Sequence, residues 1–120
     1  RASFRRIGEQ IDGSFELAHE TYLLEAKWIG PAVGVSELRA FEGKVNDKAA
    51  WSRGLFVIYS GFTTEGLHAF GRGKRVVCMD GRDLHDMLER RLRFSEVVSK
   101  KVRHAAESGE PYVSVHDLYR

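Results

Sequence analysis

Residues 10–28 alternate between apolar and polar positions. Ile11, Phe15 and Leu17 fall on one side, with Gly13 between them, while Gln10, Asp12, Ser14 and Glu16 fall on the other. Tyr22, Leu24, Ala26 and Trp28 alternate in the same way against Leu23, Glu25 and Lys27. This period of two predicts strands over residues 10–17 and 22–28. A turn centred between Ala18 and His19 sets Phe15 opposite Tyr22, Gly13 opposite Leu24 and Ile11 opposite Ala26 on the apolar side. On the polar side it sets Asp12 opposite Glu25 and Gln10 opposite Lys27. A slip of one residue would mix the two sides, so the pattern selects this register. The turn itself, Ala-His-Glu-Thr, has no Gly or Asn, and is expected to be longer and looser than a tight hairpin.

The remaining pattern alternates helices and buried strands. Residues 1–9 read as an entering loop or the end of an earlier helix, punctuated by Gly8. Gly30-Pro31 ends the second strand. Ser36 is the expected N-cap of a helix reaching about Lys48, with Leu38, Phe41 and Val45 as its apolar stripe. Residues 54–60 (GLFVIYS) form a continuous apolar run, as in a strand covered on both faces. Thr63 or Thr64 caps a short helix ending at Gly71 or Gly73, and residues 75–80 (RVVCMD) give the next buried strand. Asp80 caps a helix over 82–93 with Leu84, Met87, Leu88 and Leu92 inside, and another helix runs from Phe94 to Ser108, stopped by Gly109. Residues 112–115 (YVSV) read as an edge strand or an extended tail. A hairpin followed by alternating helices and strands predicts an α/β mixed sheet flanked by helices. No repeat or linker divides the chain, so one domain is expected over 1–120.

Composition narrows the class. Apolar residues are 42% and charged residues 30% of the 120, which argues against a disordered or fibrous chain. No apolar run approaches the ~20 residues of a membrane span, and no signal-peptide pattern follows the early arginines. The chain starts on Arg rather than Met, so a piece of a longer protein is expected. Cys78 lies inside an apolar run without a cysteine partner, which predicts a buried thiol and fits a cytoplasmic setting. A net charge of +2 permits a polyanionic partner without requiring one. The basic residues cluster at Arg1, Arg5 and Arg6, at Arg72, Lys74 and Arg75, at Arg90, Arg91 and Arg93, and at Lys100, Lys101 and Arg103. Each cluster alone is a solvated face; together they favour nucleic acid.

The chemistry concentrates in the hairpin. Like charges directly opposite on a sheet repel, and a divalent cation removes the conflict between Asp12 and Glu25. Carboxylate oxygens on adjacent strands suit Mg²⁺ or Mn²⁺, which keep waters and take further ligands from phosphate. Lys27 shares the face of Glu25, where an ammonium could steady an attacking water or the charge growing on a phosphate. The backbone carbonyl of Ala26 is a further candidate metal ligand. Glu9, Gln10, Ser36 and Thr63 are candidate supporting or DNA-contacting residues, although capping accounts for Ser36 and Thr63 and a plain strand position for Gln10. His19 reads as a solvated turn residue, and the other histidines have no zinc-ligand spacing. Trp28 and Trp51 read as core or interface. There is no Gly-rich phosphate loop and no Ser/His/Asp arrangement.

Asp12-Gly13 followed by Glu25-Ala26-Lys27 resembles the core motif of the PD-(D/E)xK nuclease superfamily. The likeness extends to its Mrr-like restriction endonucleases. Residues 8–13 (GEQIDG) resemble the segment before that family's first acid, Ser60-Gly61-Phe62-Thr63 its turn after the central strand, and residues 76–88 its closing strand and helix. It covers roughly 8–92, with 94–120 left as a C-terminal helical extension. Glu25 stands where Mrr-like members commonly carry Gln, and Gln10 replaces a glycine.

The resemblance implies a restriction-endonuclease-like fold and a Mg²⁺-dependent endonuclease acting on DNA, with Asp12 and Glu25 as metal ligands and Lys27 as the catalytic lysine. It further implies the cleavage module of a restriction or anti-phage defence protein, working beside other domains of the full-length chain. The Leu/Met and Val stripes over 82–108 are expected to offer a homodimer surface. The alternatives are a non-catalytic nucleic-acid-binding or assembly module of the same fold, and a nuclease acting on RNA or single strands.

Overall fold

The computed structural model describes residues 2–48 and 52–120. Trp51 therefore lies outside the described residues. Five strands form one sheet in chain order: β1 Ala2–Ile7, β2 Gln10–Leu17, β3 Glu20–Lys27, β4 Ser52–Ile58 and β5 Val76–Asp80. β1, β2 and β3 are antiparallel, and β4 and β5 continue the sheet in parallel with β3. The helices are α1 Val35–Asn46, α2 Thr64–Phe70, α3 Gly81–Glu89, α4 Phe94–Ser108 and α5 Val115–Leu118. This is the expected α/β mixed sheet flanked by helices.

The β2–β3 register is the one the apolar alternation selects. Phe15 pairs with Tyr22, Ile11 with Ala26, Asp12 with Glu25 and Gln10 with Lys27. Phe15 and Tyr22 stack at 5.1 Å between ring centroids. The turn differs from expectation. Leu17 pairs directly with Glu20, so Ala18 and His19 alone make it, at φ 52° and 67°. Two left-handed residues match the twist of the flanking strands, and here the sheet imposes that geometry on a sequence with no turn residues.

β1 replaces the expected loop or helix end. All six of its residues are exposed. It lies close against β2 because Gly13 has no side chain: a Cβ there would run into the Phe4 ring and the Ser3 carbonyl. Asp12-Gly13 is thus a strand position where a neighbouring strand comes near, not a turn.

The two faces of the sheet carry separate cores. On one, Tyr22, Ala26, Leu55, Val57, Val77 and Met79 pack against α3, α4 and α5 through Met87, Val97, Val98 and Val115. On the other, Phe56, Ile58, Val76 and Cys78 pack against Leu38, Phe41 and Val45 of α1 and Phe70 of α2. α1 sits directly over Gly54, where a Cβ would come within 2.6 Å of both Phe41 and Val45. Thr63 caps α2, Asp80 caps α3 and Gly109 ends α4, as the sequence predicts. Ser36 does not cap α1: Gly34 is the extended residue at that end, and the Ser36 hydroxyl donates to Glu37 Oε1 at 3.0 Å.

Four further expectations are corrected. Residues 112–115 form no strand; Ser114 caps α5, and the Val113 carbonyl accepts from the buried Lys101 ammonium. Lys101 is not part of a solvated basic face, because its Nζ also donates to Asp83 Oδ2 and the Cys78 carbonyl. Met87, Val97 and Val98 are turned into the chain's own core rather than offered to a second copy. Leu88, expected inside, is 80% exposed near exposed Phe94, Trp28 and Tyr59.

Candidate functional site

The face of the sheet under α1 carries two polar rows. One runs Arg5, Asp12, Glu25, Phe56 and Cys78 from β1 to β5, and the next runs Ile7, Gln10, Lys27, Ile58 and Asp80. α1 covers the apolar end of these rows. The polar end forms a cleft of about 280 Å³ lined by Asp12, Gly13, Leu23, Leu24, Glu25, Phe41, Lys44, Asp47 and Lys48. Lys27 stands two residues beyond Glu25 on the same strand, and so on the same face.

The β2–β3 ladder fixes where each charge stands. Opposed residues on antiparallel strands have their Cα atoms about 4.5–5.5 Å apart, which puts Asp12 and Glu25 side by side. Gln10 lies opposite Lys27 but its side chain turns elsewhere: Nε2 donates to Asp12 Oδ1 at 2.8 Å. The hydrogen bond orients the Asp12 carboxylate, and Asp12 lines the cleft. Glu25 is only 6% exposed, and its Oε1 accepts from Lys44 Nζ at 2.8 Å. The hydrogen bond to Glu25 pulls the Lys44 ammonium above its ordinary pKa against its own desolvation, and the charges of Glu25 and Asp12 add to it.

The last turn of α1 thus faces both carboxylates, and Glu37, at its first turn, lies within electrostatic reach of Lys27. Hydrogen bonds from its own backbone N–H, from the Ser36 hydroxyl and from the Gly34 N–H hold the Glu37 carboxyl below the usual range, and the charge of Lys27 lowers it further. The loops behind this end of the sheet are tied together. Val33 N donates to the Gly61 carbonyl at 3.0 Å, Thr63 N to the Val33 carbonyl at 2.9 Å, and the Ser60 hydroxyl to the Gly30 carbonyl. The Ser-Gly-Phe-Thr segment therefore anchors the loop that leads from β3 into α1.

The structure brings Asp12, Glu25, Lys27 and Gln10 together and leaves the other candidates apart from them. Glu9 is exposed in the two-residue turn between β1 and β2. The Thr63 hydroxyl accepts from Gly66 N at 2.9 Å, so it is engaged as a cap. The Ala26 side chain is buried on the opposite face, which leaves only its backbone to serve the site. Arg5, Glu37 and Lys44 were missed. Lys44 follows Phe41 by three positions on α1, beside the apolar stripe, and that spacing brings its ammonium toward the sheet, while Lys48 comes just past the helix end.

The donor set fits a hard divalent cation. Among the described residues no three Asp, Glu, His or Cys side chains converge. Two carboxylates are nevertheless what a Mg²⁺ ion commonly takes from protein, the rest of its shell being water and phosphate. The Lys44 ammonium at Glu25 Oε1 is a cation already drawn to that position. Among the described residues no helix is long and apolar enough to cross a membrane.

No curated protein matches the chain, and no solved structure does. A family model described as restriction endonuclease, built on the Mrr-type catalytic domain, matches residues 4–88. The match runs from β1 through α3 and so contains both strands of the carboxylate hairpin, the Ser-Gly-Phe-Thr turn and β5. The chain belongs to the Mrr-like restriction endonuclease family of PD-(D/E)xK nucleases.

Proposed function

We propose that this domain hydrolyses DNA phosphodiester bonds at the Asp12, Glu25 and Lys27 cluster with a bound Mg²⁺ or Mn²⁺. The observation that carries the reading is the register of β2 on β3, which sets Asp12 against Glu25 with Lys27 on the same face. Asp12 and Glu25 would hold the metal, and the Ala26 carbonyl could serve as a further ligand. When bound, the metal supplies Lewis acidity at the phosphate and a more acidic water. Lys27 donates to the attacking water or to the phosphate oxygen that gains charge. Gln10 keeps the Asp12 carboxylate aimed into the cleft. Lys48, which lines the cleft, and Arg5, paired with Asp12 on the exposed β1, would hold the flanking backbone phosphates. Lys27 would then act on the phosphate placed beside the two carboxylates.

A nuclease of this kind fits the cleavage module of a longer restriction or anti-phage defence protein, with other domains supplying recognition. A homodimer through the exposed apolar residues where α3 gives way to α4, Leu88 and Phe94, would let two sites address two strands. The test is incubation of purified protein with supercoiled plasmid and, in parallel, single-stranded RNA. Nicked or linear plasmid with Mg²⁺, and intact plasmid with EDTA, is the expected result. RNA cleavage with intact plasmid would move the substrate class, and EDTA-insensitive cutting would remove the metal.

A further inference from the structure

Lys44 stands out because its ammonium sits where the proposed reaction needs a metal. Glu25 is nearly buried, and Lys44 Nζ donates to its Oε1 at 2.8 Å from the last turn of α1. The lysine side chain itself is 57% exposed, so its stem lies toward solvent and only its tip reaches the carboxylate. Four rotatable carbons let such an ammonium leave without moving the helix. Lys48 lines the same cleft one turn on, just past the end of α1. A nucleic-acid backbone laid across this rim would offer both lysines phosphate oxygens in place of carboxylate.

We propose that Lys44 is a built-in counter-ion that keeps the carboxylate pair closed to divalent metal until nucleic acid draws it away. This deepens the metal-nuclease reading and rests on it. Ammonium and metal compete for Glu25 Oε1. Bound substrate gives Lys44 another anion, so substrate and metal favour each other's binding. Linkage makes that coupling reciprocal. The device would limit metal loading, and with it stray cutting, to the protein already on substrate.

The test is Mn²⁺ titration followed by electron paramagnetic resonance. It uses a Lys27→Ala parent so that added DNA survives, and subtracts the signal of duplex alone. Without DNA, Lys44→Met and Lys44→Gln bind Mn²⁺ about tenfold more tightly than the parent, a typical coupling between sites. Lys44→Arg, which keeps the cation, follows the parent. A short DNA duplex tightens Mn²⁺ binding in the parent and in Lys44→Met through its phosphates, but by about tenfold more in the parent; equal tightening in the two would overturn the coupling through Lys44. Circular dichroism checks that each variant is folded, and the Gln variant replaces the Met variant if the latter is not. Equal Mn²⁺ affinity in the parent and the uncharged variants, with binding lost in Glu25→Gln, would overturn the counter-ion role and leave the metal site standing. Undiminished Mn²⁺ binding in Glu25→Gln would overturn the metal site and the counter-ion role with it.

Discussion

Replacing Lys101 with Met should cost far more than replacing its neighbour Lys100. The Lys101 side chain is 1% exposed and its ammonium makes three contacts: Cys78 O at 2.9 Å, Asp83 Oδ2 at 2.9 Å and Val113 O at 2.6 Å. Methionine fills the stem but leaves two carbonyls and a carboxylate without their donor. At about 1 kcal/mol for each carbonyl and about 2 kcal/mol for the charged acceptor, the loss is about 4 kcal/mol. That agrees with the about 3–5 kcal/mol typical of breaking a buried ion pair from one side. Lys100 is exposed, with its ammonium 5.1 Å from the Tyr119 ring centre, so Lys100→Met should change stability by less than about 1 kcal/mol.

The loss should also depend on pH. Burial already holds the Asp83 carboxyl above its ordinary range, and Lys101 offsets part of that rise. Removing the ammonium raises the folded-state pKa further. Stability from such a group is fully present below the unfolded value of about 3.9 and is lost as pH rises through the folded value. The Lys101→Met deficit should therefore be larger at neutral pH than near pH 4. Urea denaturation of both variants at the two pH values measures this. Equal losses for Lys100→Met and Lys101→Met, or a Lys101→Met deficit that grows toward acid, would refute the buried-clamp reasoning.

Replacing Ala18-His19 by Asn-Gly should stabilise the fold by about 1–2 kcal/mol, because both positions have positive φ and the new residues tolerate it; an unchanged urea midpoint would contradict the tight-turn geometry. Burial pushes the Cys78 thiol up to about 12, so iodoacetamide at pH 8 should label it only as fast as the chain unfolds; rapid labelling of folded protein would contradict its burial.

The register of the carboxylate hairpin was legible because apolar alternation on two strands admits one alignment without mixing faces. Its turn was not, since Ala18 and His19 carry none of the chemistry that marks a two-residue hairpin. β1 was illegible for a related reason: with all six residues exposed, no buried side left a period of two in the sequence. The Tyr112–Val115 run has the composition of a strand, but its backbone groups are taken by side chains. Lys101 takes the Val113 carbonyl, and Asp83 Oδ1 accepts from Val115 N. Lys44 escaped notice because a lysine in the last turn of a helix is ordinarily a solvated cation near the negative end of the dipole. Only the packing of α1 over β3 and β4 brings it to Glu25. The chemistry was readable where it rides on strand periodicity, and hidden where it depends on how a helix is laid across the sheet.

Asp12, Glu25 and Lys27 are proposed to act as one metal-dependent cleaving centre. The most direct measurement compares plasmid cleavage in Mg²⁺ by the wild type and Lys27→Ala, at equal concentration and with matching circular dichroism. Lys27→Ala is expected to keep the fold and lose about 10²–10³-fold in rate, the usual cost of removing one group that stabilises transition-state charge. Equal cleavage by the two proteins would contradict it.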